Sequence, residues 1–486
     1  EIAQCLVGSE MCIRDRLYTA SEALPYAASG GLADVAGSLP AALCKAGHDC
    51  RVVLPLYKSI KPELRKDLRF LMNFTVDVGW RKQYCGVFEG HANNVTYYLL
   101  DNEYYYARDG LYGFYDDCER FVFLSRAVME LIRHIDWKPQ IINCNDWQTA
   151  LVPVYYQTYY KYQHGYEDIK TVFTIHNIQY QGKYGMDVLN EVMGIPMYHA
   201  NLLEYDGCIN MMKGAFETAD KITTVSPSYA WEILDPWYAH GLDRALANKQ
   251  YKLCGFLNGI DTKLYDPEKD PLIPAHFSAD DISGKEKCKE ALEKELKLAK
   301  NGEPIIGIVT RFVSHKGIDL IKYVFEEMVN MGCRFAILGS GEKIFEDFFK
   351  EMAWRYPDRV SATIGFVPDL ARRIYAGADM FLMPSQSEPC GLAQMISMRY
   401  GTIPIVRETG GLRDSVRDAG GENGNGFTFK TYNAHDMLNA VCRAYEYYKN
   451  KPAWAKLVSD AMKNDFSWDS SAKLYIGLYK ELAGEE

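Results

Sequence analysis

The sequence predicts an α/β protein with two doubly wound, Rossmann-like parallel-sheet domains. Short apolar runs alternate with helical patterns along most of the chain, which is the pattern of a parallel sheet with crossover helices. A polar, proline-bearing stretch over 266–284 separates two such series. The length of 486 residues leaves ample core for each domain. Two such domains facing each other would enclose a deep cleft between the carboxyl edges of their sheets.

The first series follows an N-terminal segment of foreign appearance. Residues 5–16 resemble translated sequencing-adapter sequence, and the chain does not begin with Met. The segment has no signal-peptide pattern, because its apolar stretch is short and interrupted by charge. We therefore predict a non-native leader over 1–16. The first domain then spans 17–258, with strands at 17–20, 51–55, 95–100, 140–143, 171–175 and 221–225, and helices near 33–47, 117–135 and 148–160.

The second series predicts a C-terminal domain over 259–466. Its apolar runs are as short as those of the first series and are again separated by helical patterns. Strands are expected at 304–309, 334–338, 360–364, 380–383 and 403–406, and helices at 317–331, 342–355, 369–377 and 434–450.

Composition excludes several classes of function. The chain is 48% hydrophobic and 24% charged, and no run approaches the eighteen apolar residues of a membrane span. Its formal charge of −10 argues against nucleic-acid or anionic-membrane partners, which need a basic face. The 13 cysteines are scattered without metal-site or disulfide spacing, which predicts reduced thiols and a cytoplasmic protein. Nothing in the sequence indicates an oligomeric state.

The segment Glu388-Pro389-Cys390-Gly391-Leu392 is the most informative motif. It follows the predicted strand 380–383 and precedes a stretch of helix-forming composition. Ligands of open α/β sheets bind at the carboxyl ends of strands, and a helix N-terminus presents free amides to an anion. We therefore expect Glu388 to face a sugar while the amides of Cys390, Gly391 and Leu392 face phosphate.

Arg311 and Lys316 form a second motif, directly after the predicted strand 304–309. Two cations in a cleft are costly without an anion between them. A guanidinium fork and an ammonium point charge suit a diphosphate.

The first domain carries further polar residues at predicted strand ends. Gly30 and Gly31 allow a ligand to approach the backbone closely, and Asp34 suits the first turn of the following helix. Asp146 and His176, the latter followed by Asn177, also follow strands, where His176 is placed to donate hydrogen bonds to a sugar hydroxyl or leaving group.

Together these motifs resemble the bacterial glycogen synthases and plant starch synthases. The resemblance runs from about Leu17 to Tyr479 and includes Leu257-Asn258-Gly259, Arg399-Tyr400-Gly401 and Thr409-Gly410-Gly411-Leu412. It implies a glycosyltransferase-B fold, ADP-glucose as donor, an α-1,4-glucan as acceptor, and retention of configuration without a metal or other cofactor. It also implies that 467–486 crosses back to the first domain.

The resemblance assigns roles residue by residue. Arg311 and Lys316 match the cations that neutralise the donor diphosphate, Glu388 the carboxylate beside the sugar, and His176 and Asp146 residues that contact glucose and acceptor. Whether Glu388 is a nucleophile or an electrostatic stabiliser stays open. The donor-site matches are Gly30, Gly31, Asp34, Tyr106, Asn177, Asn258, Phe366 as the adenine-stacking ring, Cys390, Gly391 and Leu392.

Two positions depart from the family pattern. Ala28 stands where a donor-binding Lys is usual, and Asn145 where a His is common. Ala28 motivates one alternative to an active ADP-glucose-dependent synthase, a catalytically impaired glucan-binding homologue. A transferase that uses another nucleotide sugar, such as UDP-glucose, is the nearer enzymatic alternative. A nicotinamide-dependent dehydrogenase is excluded by the lack of G-x-G-x-x-G after a first strand.

Overall fold

A computed structural model describes residues 15–484. The described chain divides into two compact units. The first contains the residues up to Val225, Ala230–Phe256 and the residues from Trp468 onward, and the second contains Ser226–Tyr229 and Leu257–Ser467. No helix in 15–484 is both long enough and apolar enough to cross a membrane.

The first unit is built on a large, mostly parallel sheet with a small antiparallel sheet beside it. The large sheet has the order β12-β11-β7-β6-β1-β2-β5-β4-β3, and the small one has the order β8-β10-β9. The strands are β1 (Asp15–Thr19), β2 (Asp49–Pro55), β3 (Arg69–Val78), β4 (Arg81–Ala92), β5 (Val95–Asp101), β6 (Ile141–Asn145), β7 (Lys170–Ile175), β8 (Lys183–Tyr184), β9 (Glu204–Tyr205), β10 (Cys208–Asn210), β11 (Lys221–Thr224) and β12 (Leu253–Gly255).

Most connections between these strands are helical. A π-helical segment, Tyr156–Tyr160, extends the fifth helix. The helices are α1 (Gly31–Lys45), α2 (Pro62–Lys66), α3 (Glu103–Tyr106), α4 (Asp117–His134), α5 (Leu151–Tyr155), α6 (Val188–Glu191), α7 (Ala200–Leu203), α8 (Met211–Thr218), α9 (Pro227–Glu232) and α10 (Asp243–Ala247).

The topology of the large sheet fixes where a ligand can bind. From β1 the chain moves to β2 on one side, whereas β6, β7, β11 and β12 continue on the other side. The strand order therefore reverses between β1 and β6. Ligands of doubly wound sheets bind at such a switch point, outside the carboxyl ends of the strands.

The second unit contains a six-stranded sheet in which every pairing is parallel, with the order β15-β14-β13-β16-β17-β18. Its strands are β13 (Ile305–Val309), β14 (Arg334–Gly339), β15 (Val360–Ile364), β16 (Met380–Met383), β17 (Ile403–Arg407) and β18 (Phe427–Phe429). Its helices are α11 (Ser283–Leu296), α12 (Ile318–Met331), α13 (Lys343–Arg355), α14 (Pro368–Gly377), α15 (Ala393–Arg399), α16 (Gly410–Ser415), α17 (Ala434–Lys449) and α18 (Lys451–Met462). The last helix of the chain, α19 (Trp468–Ala483), belongs to the first unit.

The predicted fold class of two doubly wound α/β domains is confirmed, with differences in detail. The strand β1 begins at Asp15 and so includes the last two residues of the predicted leader over 1–16. Arg16 is buried, pairs with both neighbouring strands, and places its guanidinium 5.0 Å from the Tyr479 ring centroid. The rest of that leader lies outside the described residues.

The division into units also differs from the predicted boundaries. The chain passes between the units after residues 256 and 467 rather than after 258 and 466, and Ser226–Tyr229 clusters with the second unit instead of the first. The antiparallel hairpin of β3 and β4 and the helix α11 were not predicted.

Candidate active site

In the second unit, two loops at the carboxyl edge of the sheet bring the predicted residues together. Arg311 and Lys316 lie on the loop between β13 and α12, and Glu388 lies on the turn between β16 and α15. The loops are joined directly, because the Gln386 N–H donates to the carbonyl oxygen of His315 at 2.9 Å. The sequence prediction that these side chains share one region of the domain therefore fits the structure.

Glu388 is buried and held by two side chains. The Lys316 ammonium lies 2.5 Å from its Oε2, and the Ser385 hydroxyl donates to the same oxygen at 3.0 Å. A buried carboxylate needs such partners, since an unpaired charge at low dielectric is costly. Sequence reasoning missed Ser385, although its place in the turn after β16 was visible.

Two glycines on neighbouring loops allow a close approach to the turn that carries Glu388. Gly317 has φ +74°, and a Cβ there would lie 2.1 Å from the Pro384 carbonyl oxygen. Gly410 has φ +44°, and its Cβ would lie 2.0 Å from the Glu388 carbonyl oxygen. A side chain at either position would push the Glu388 turn out of place.

The local charge suits an anion. Arg311 is exposed, and His315 has a lowered pKa because of burial and then the positive charges of Lys316 and Arg311. Lys316 is already paired with Glu388, so the exposed guanidinium is the cation presented to solvent. A guanidinium beside an ammonium can bind a diphosphate.

The other predicted donor-site residues of this unit are placed as follows. The Phe366 ring follows β15 and is 90% exposed, which an adenine-stacking role requires. Asn258 is buried, and its Oδ1 lacks a hydrogen-bond partner within 15–484. Cys390 is buried, whereas Gly391 and Leu392 are partly exposed, with Leu392 as the N-cap of α15.

In the first unit, Asp146 and His176 meet at the carboxyl ends of β6 and β7. The Asp146 Oδ1 accepts hydrogen bonds from the backbone N–H of His176 at 2.7 Å and of Asn177 at 3.3 Å. Burial raises the pKa of Asp146 to about 7, against the opposing effect of these amides. Burial also lowers the pKa of His176 to about 3, so the imidazole is neutral at physiological pH.

The glycine loop lies at the end of β1, on the other side of the switch point. Gly30 is the N-cap of α1, Gly31 is its first residue, and Asp34 lies in its first turn. Glu22, which sequence reasoning missed, is buried, and its carboxylate accepts the backbone N–H of Ser29. Its negative charge also contributes to the raised pKa of Asp146. The carboxyl ends of β1 and β6 are therefore electrostatically coupled through Glu22 and Asp146.

Tyr106 is placed less favourably for its predicted role. The side chain is fully buried, and its hydroxyl donates to the Arg120 carbonyl oxygen at 3.3 Å. Its ring lies 5.5 Å from that of Tyr57, centroid to centroid. In this structure Tyr106 contributes to the core, and its contact with a donor stays a prediction.

A pocket of about 400 Å³ lies in the first unit, and most of its lining residues follow Asp146 or His176 closely in the sequence. It combines aromatic rings with amide groups, which is the chemistry of a sugar-binding surface. Its lining residues are Trp147, Gln179, Tyr180, Gln181, Gly182, Lys183, Tyr184 and His240. Within 15–484, no group of three or more His, Cys, Asp or Glu side chains is placed to hold a metal ion.

The fold and these strand-end side chains define a glycosyltransferase. Residues 17–248 match the starch synthase catalytic domain family, and residues 290–456 match glycosyl transferases group 1. The catalytic domain of starch synthase IV from Arabidopsis thaliana, bound to ADP and acarbose, has a similar structure with a TM-score of 0.89. It is 34% identical, and the match covers 97% of this chain and 100% of that chain.

Relatives that match this chain over nearly their whole length show which family it belongs to. A glycogen synthase from Bacillus cereus (strain Q1) is 47% identical over 96% of this chain and 99% of its own length. One from Geobacillus stearothermophilus is 46% identical over 97% of this chain and 98% of its own length. The chain belongs to the glycogen synthase family and is a hexosyltransferase.

Proposed function

We propose that this protein transfers glucose from ADP-glucose to the non-reducing end of an α-1,4-glucan, with retention of configuration. The observation that carries the proposal is the cluster of Arg311, Lys316 and Glu388 at one sheet edge. It pairs cations suited to a diphosphate with a carboxylate suited to a sugar. The solved relative bound to ADP and acarbose supports a nucleotide of this kind and a glucan-like acceptor.

The cations act on the leaving group. As the glucosyl–phosphate bond breaks, negative charge builds up on the diphosphate, and preorganised positive groups lower the barrier most where charge develops. Arg311 supplies a fork for two phosphate oxygens, and Lys316 supplies a point charge. We infer that this pair replaces the metal ion of other transferases, so activity should persist in excess EDTA.

Glu388 acts on the sugar. Its negative charge is balanced by the Lys316 ammonium. When the donor diphosphate also binds that ammonium, the carboxylate can stabilise the positive charge that develops on the transferred carbon of glucose. Asp146 and His176 contact sugar hydroxyls in this scheme. The reduced thiols and the substrates together suggest the cytoplasm as the site of action.

The test is incorporation of radiolabelled glucose into glycogen, from ADP-glucose and from UDP-glucose in parallel. We expect incorporation from ADP-glucose and little competition by UDP-glucose. A preference for UDP-glucose would mean that UDP-glucose, not ADP-glucose, is the donor. No incorporation at high concentrations of either donor, with glycogen binding retained, would favour the impaired homologue that Ala28 suggests.

A further inference from the structure

Asn145 lies at the meeting point of three strands, and its amide has only one possible orientation. Its Nδ2 lies 2.9 Å from the Thr19 carbonyl oxygen and 3.4 Å from that of Asn143. Its Oδ1 accepts the Tyr18 hydroxyl at 2.9 Å and lies 2.9 Å from the His176 Nε2. Exchanging oxygen and nitrogen would set the amide oxygen against two carbonyl oxygens, so this assignment follows from the network itself.

The orientation of Asn145 decides which ring nitrogen of His176 carries the proton. An amide oxygen has lone pairs and no hydrogen, so the His176 Nε2 facing it must donate. The neutral imidazole carries one proton, which leaves Nδ1 as an acceptor. His176 keeps partial exposure, so a ligand can reach the ring.

We propose that Asn145 is a positioning residue that holds His176 in its Nε2–H tautomer, so that Nδ1 accepts a hydrogen bond from a substrate hydroxyl. This corrects the expectation that His176 donates to the sugar or the leaving group. An oxyanion has no hydrogen to give, whereas every sugar hydroxyl has one. The ligand of His176 is therefore a hydroxyl of the donor glucose or of the glucan, and this assignment rests on the proposed function.

The tautomer is tested without turnover, by long-range ¹H–¹⁵N correlation on protein labelled in its ten histidines. The His176 signals are assigned with a His176→Gln variant. At neutral pH we expect a protonated, pyrrole-like Nε2 and an unprotonated, pyridine-like Nδ1. A protonated Nδ1, or an imidazolium at this pH, would overturn the proposal.

Asn143 supplies a matched control. It is buried on the same strand, donates to the Thr174 hydroxyl at 3.0 Å and accepts the Tyr479 hydroxyl at 3.2 Å, without contact to His176. Both Asn143→Ala and Asn145→Ala should lower the melting temperature. Only Asn145→Ala should mix the two tautomers in the spectrum, and a spectrum as uniform as that of the wild type would refute the positioning role.

Asn145→Asp separates geometry from protonation. An ionised carboxylate against Nε2–H raises the pKa of His176 and favours an imidazolium, in which Nδ1 has no lone pair. Tyr18, the other group on that oxygen, stays protonated because burial raises its pKa well above the usual value. The second carboxyl oxygen takes the place of Nδ2 against the Thr19 and Asn143 carbonyl oxygens, where a protonated carboxyl would leave the ring neutral, so the spectrum is recorded first. In protein that shows the imidazolium we expect at least a tenfold loss of turnover.

The kinetics show which substrate supplies the hydroxyl. A rise in KM for ADP-glucose assigns it to the donor glucose, and a rise in KM for glycogen assigns it to the acceptor. Wild-type turnover in an Asn145→Asp protein that shows the imidazolium spectrum would refute the acceptor role of Nδ1. A wild-type protein with the expected spectrum but no incorporation would instead defeat the proposed function and leave the tautomer standing.

Discussion

Replacing Gly317 with Ala should uncouple the two loops of the second unit. The new Cβ would lie 2.1 Å from the Pro384 carbonyl oxygen, and because ordinary contacts are no closer than about 3 Å, the loops must separate by about 1 Å. The φ of +74° adds about 1–2 kcal/mol of backbone strain for a residue with a side chain. Lys316 and Glu388 lie on either side of this contact, so their 2.5 Å ion pair opens.

A displacement of this size at a reacting centre costs about a hundredfold in rate. We expect turnover in the radiolabelled glucose assay to fall by that factor, and ADP to bind more weakly by calorimetry. Gly302→Ala is the matched control, since Gly302 has φ +78° and its Cβ would meet nothing within 4 Å. It should lose only the stability that the backbone strain costs, about 1–2 kcal/mol, and keep its turnover. A Gly317→Ala protein with turnover within twofold of wild type would refute the idea that this contact places Lys316.

Three further predictions concern single side chains. Glu388→Ala should lower turnover far more than glycogen affinity in electrophoresis, because the residue acts at the reacting carbon; unchanged turnover would remove it from the mechanism. Ala28→Lys should add a charge-assisted bond of about 1.5–3 kcal/mol to phosphate and tighten ADP-glucose binding by about ten- to a hundredfold; weaker binding in calorimetry would contradict this. Because the pKa of Asp146 is about 7, its carboxylate forms as pH rises through that value, so kcat/KM for glycogen should rise between about pH 6 and 8. Asp146→Asn should flatten the profile, and a profile unchanged by that variant would assign the titration elsewhere.

Local signals made much of the second unit predictable. Arg311 follows an apolar strand directly and Glu388 lies in a short turn, so their place at the carboxyl edge follows from strand position alone. The pairing of Lys316 with Glu388 depends on how two loops that are distant in sequence pack together. The spacing of residues in the sequence does not predict this contact. The contact of Ser385 with Glu388 depends on the shape of one turn.

Other features required the tertiary structure. In the hairpin of β3 and β4, apolar and polar residues alternate over 74–78 before Gly79, which is the pattern of an antiparallel strand rather than of the buried parallel strands of this sheet. The burial of Tyr106 could not be predicted from the sequence, because it follows from the packing of α3 against α4 and not from the neighbouring residues. The tautomer of His176 depends on Asn145, thirty-one residues earlier.

The position of helix α19 in the chain affects when the first unit can finish folding during synthesis. It is translated after the second unit, yet it packs within the first unit, where Tyr475 lies 5.0 Å from Phe256, ring centroid to centroid, and Asp469 forms an ion pair with Lys45. The ribosome synthesises nearly the whole of the second unit before this helix. The first unit therefore lacks its last helix until the second unit has been made, although its sheet is synthesised first. Expression of the first unit alone would therefore need residues 468–483 rejoined to it, by co-expression or by circular permutation.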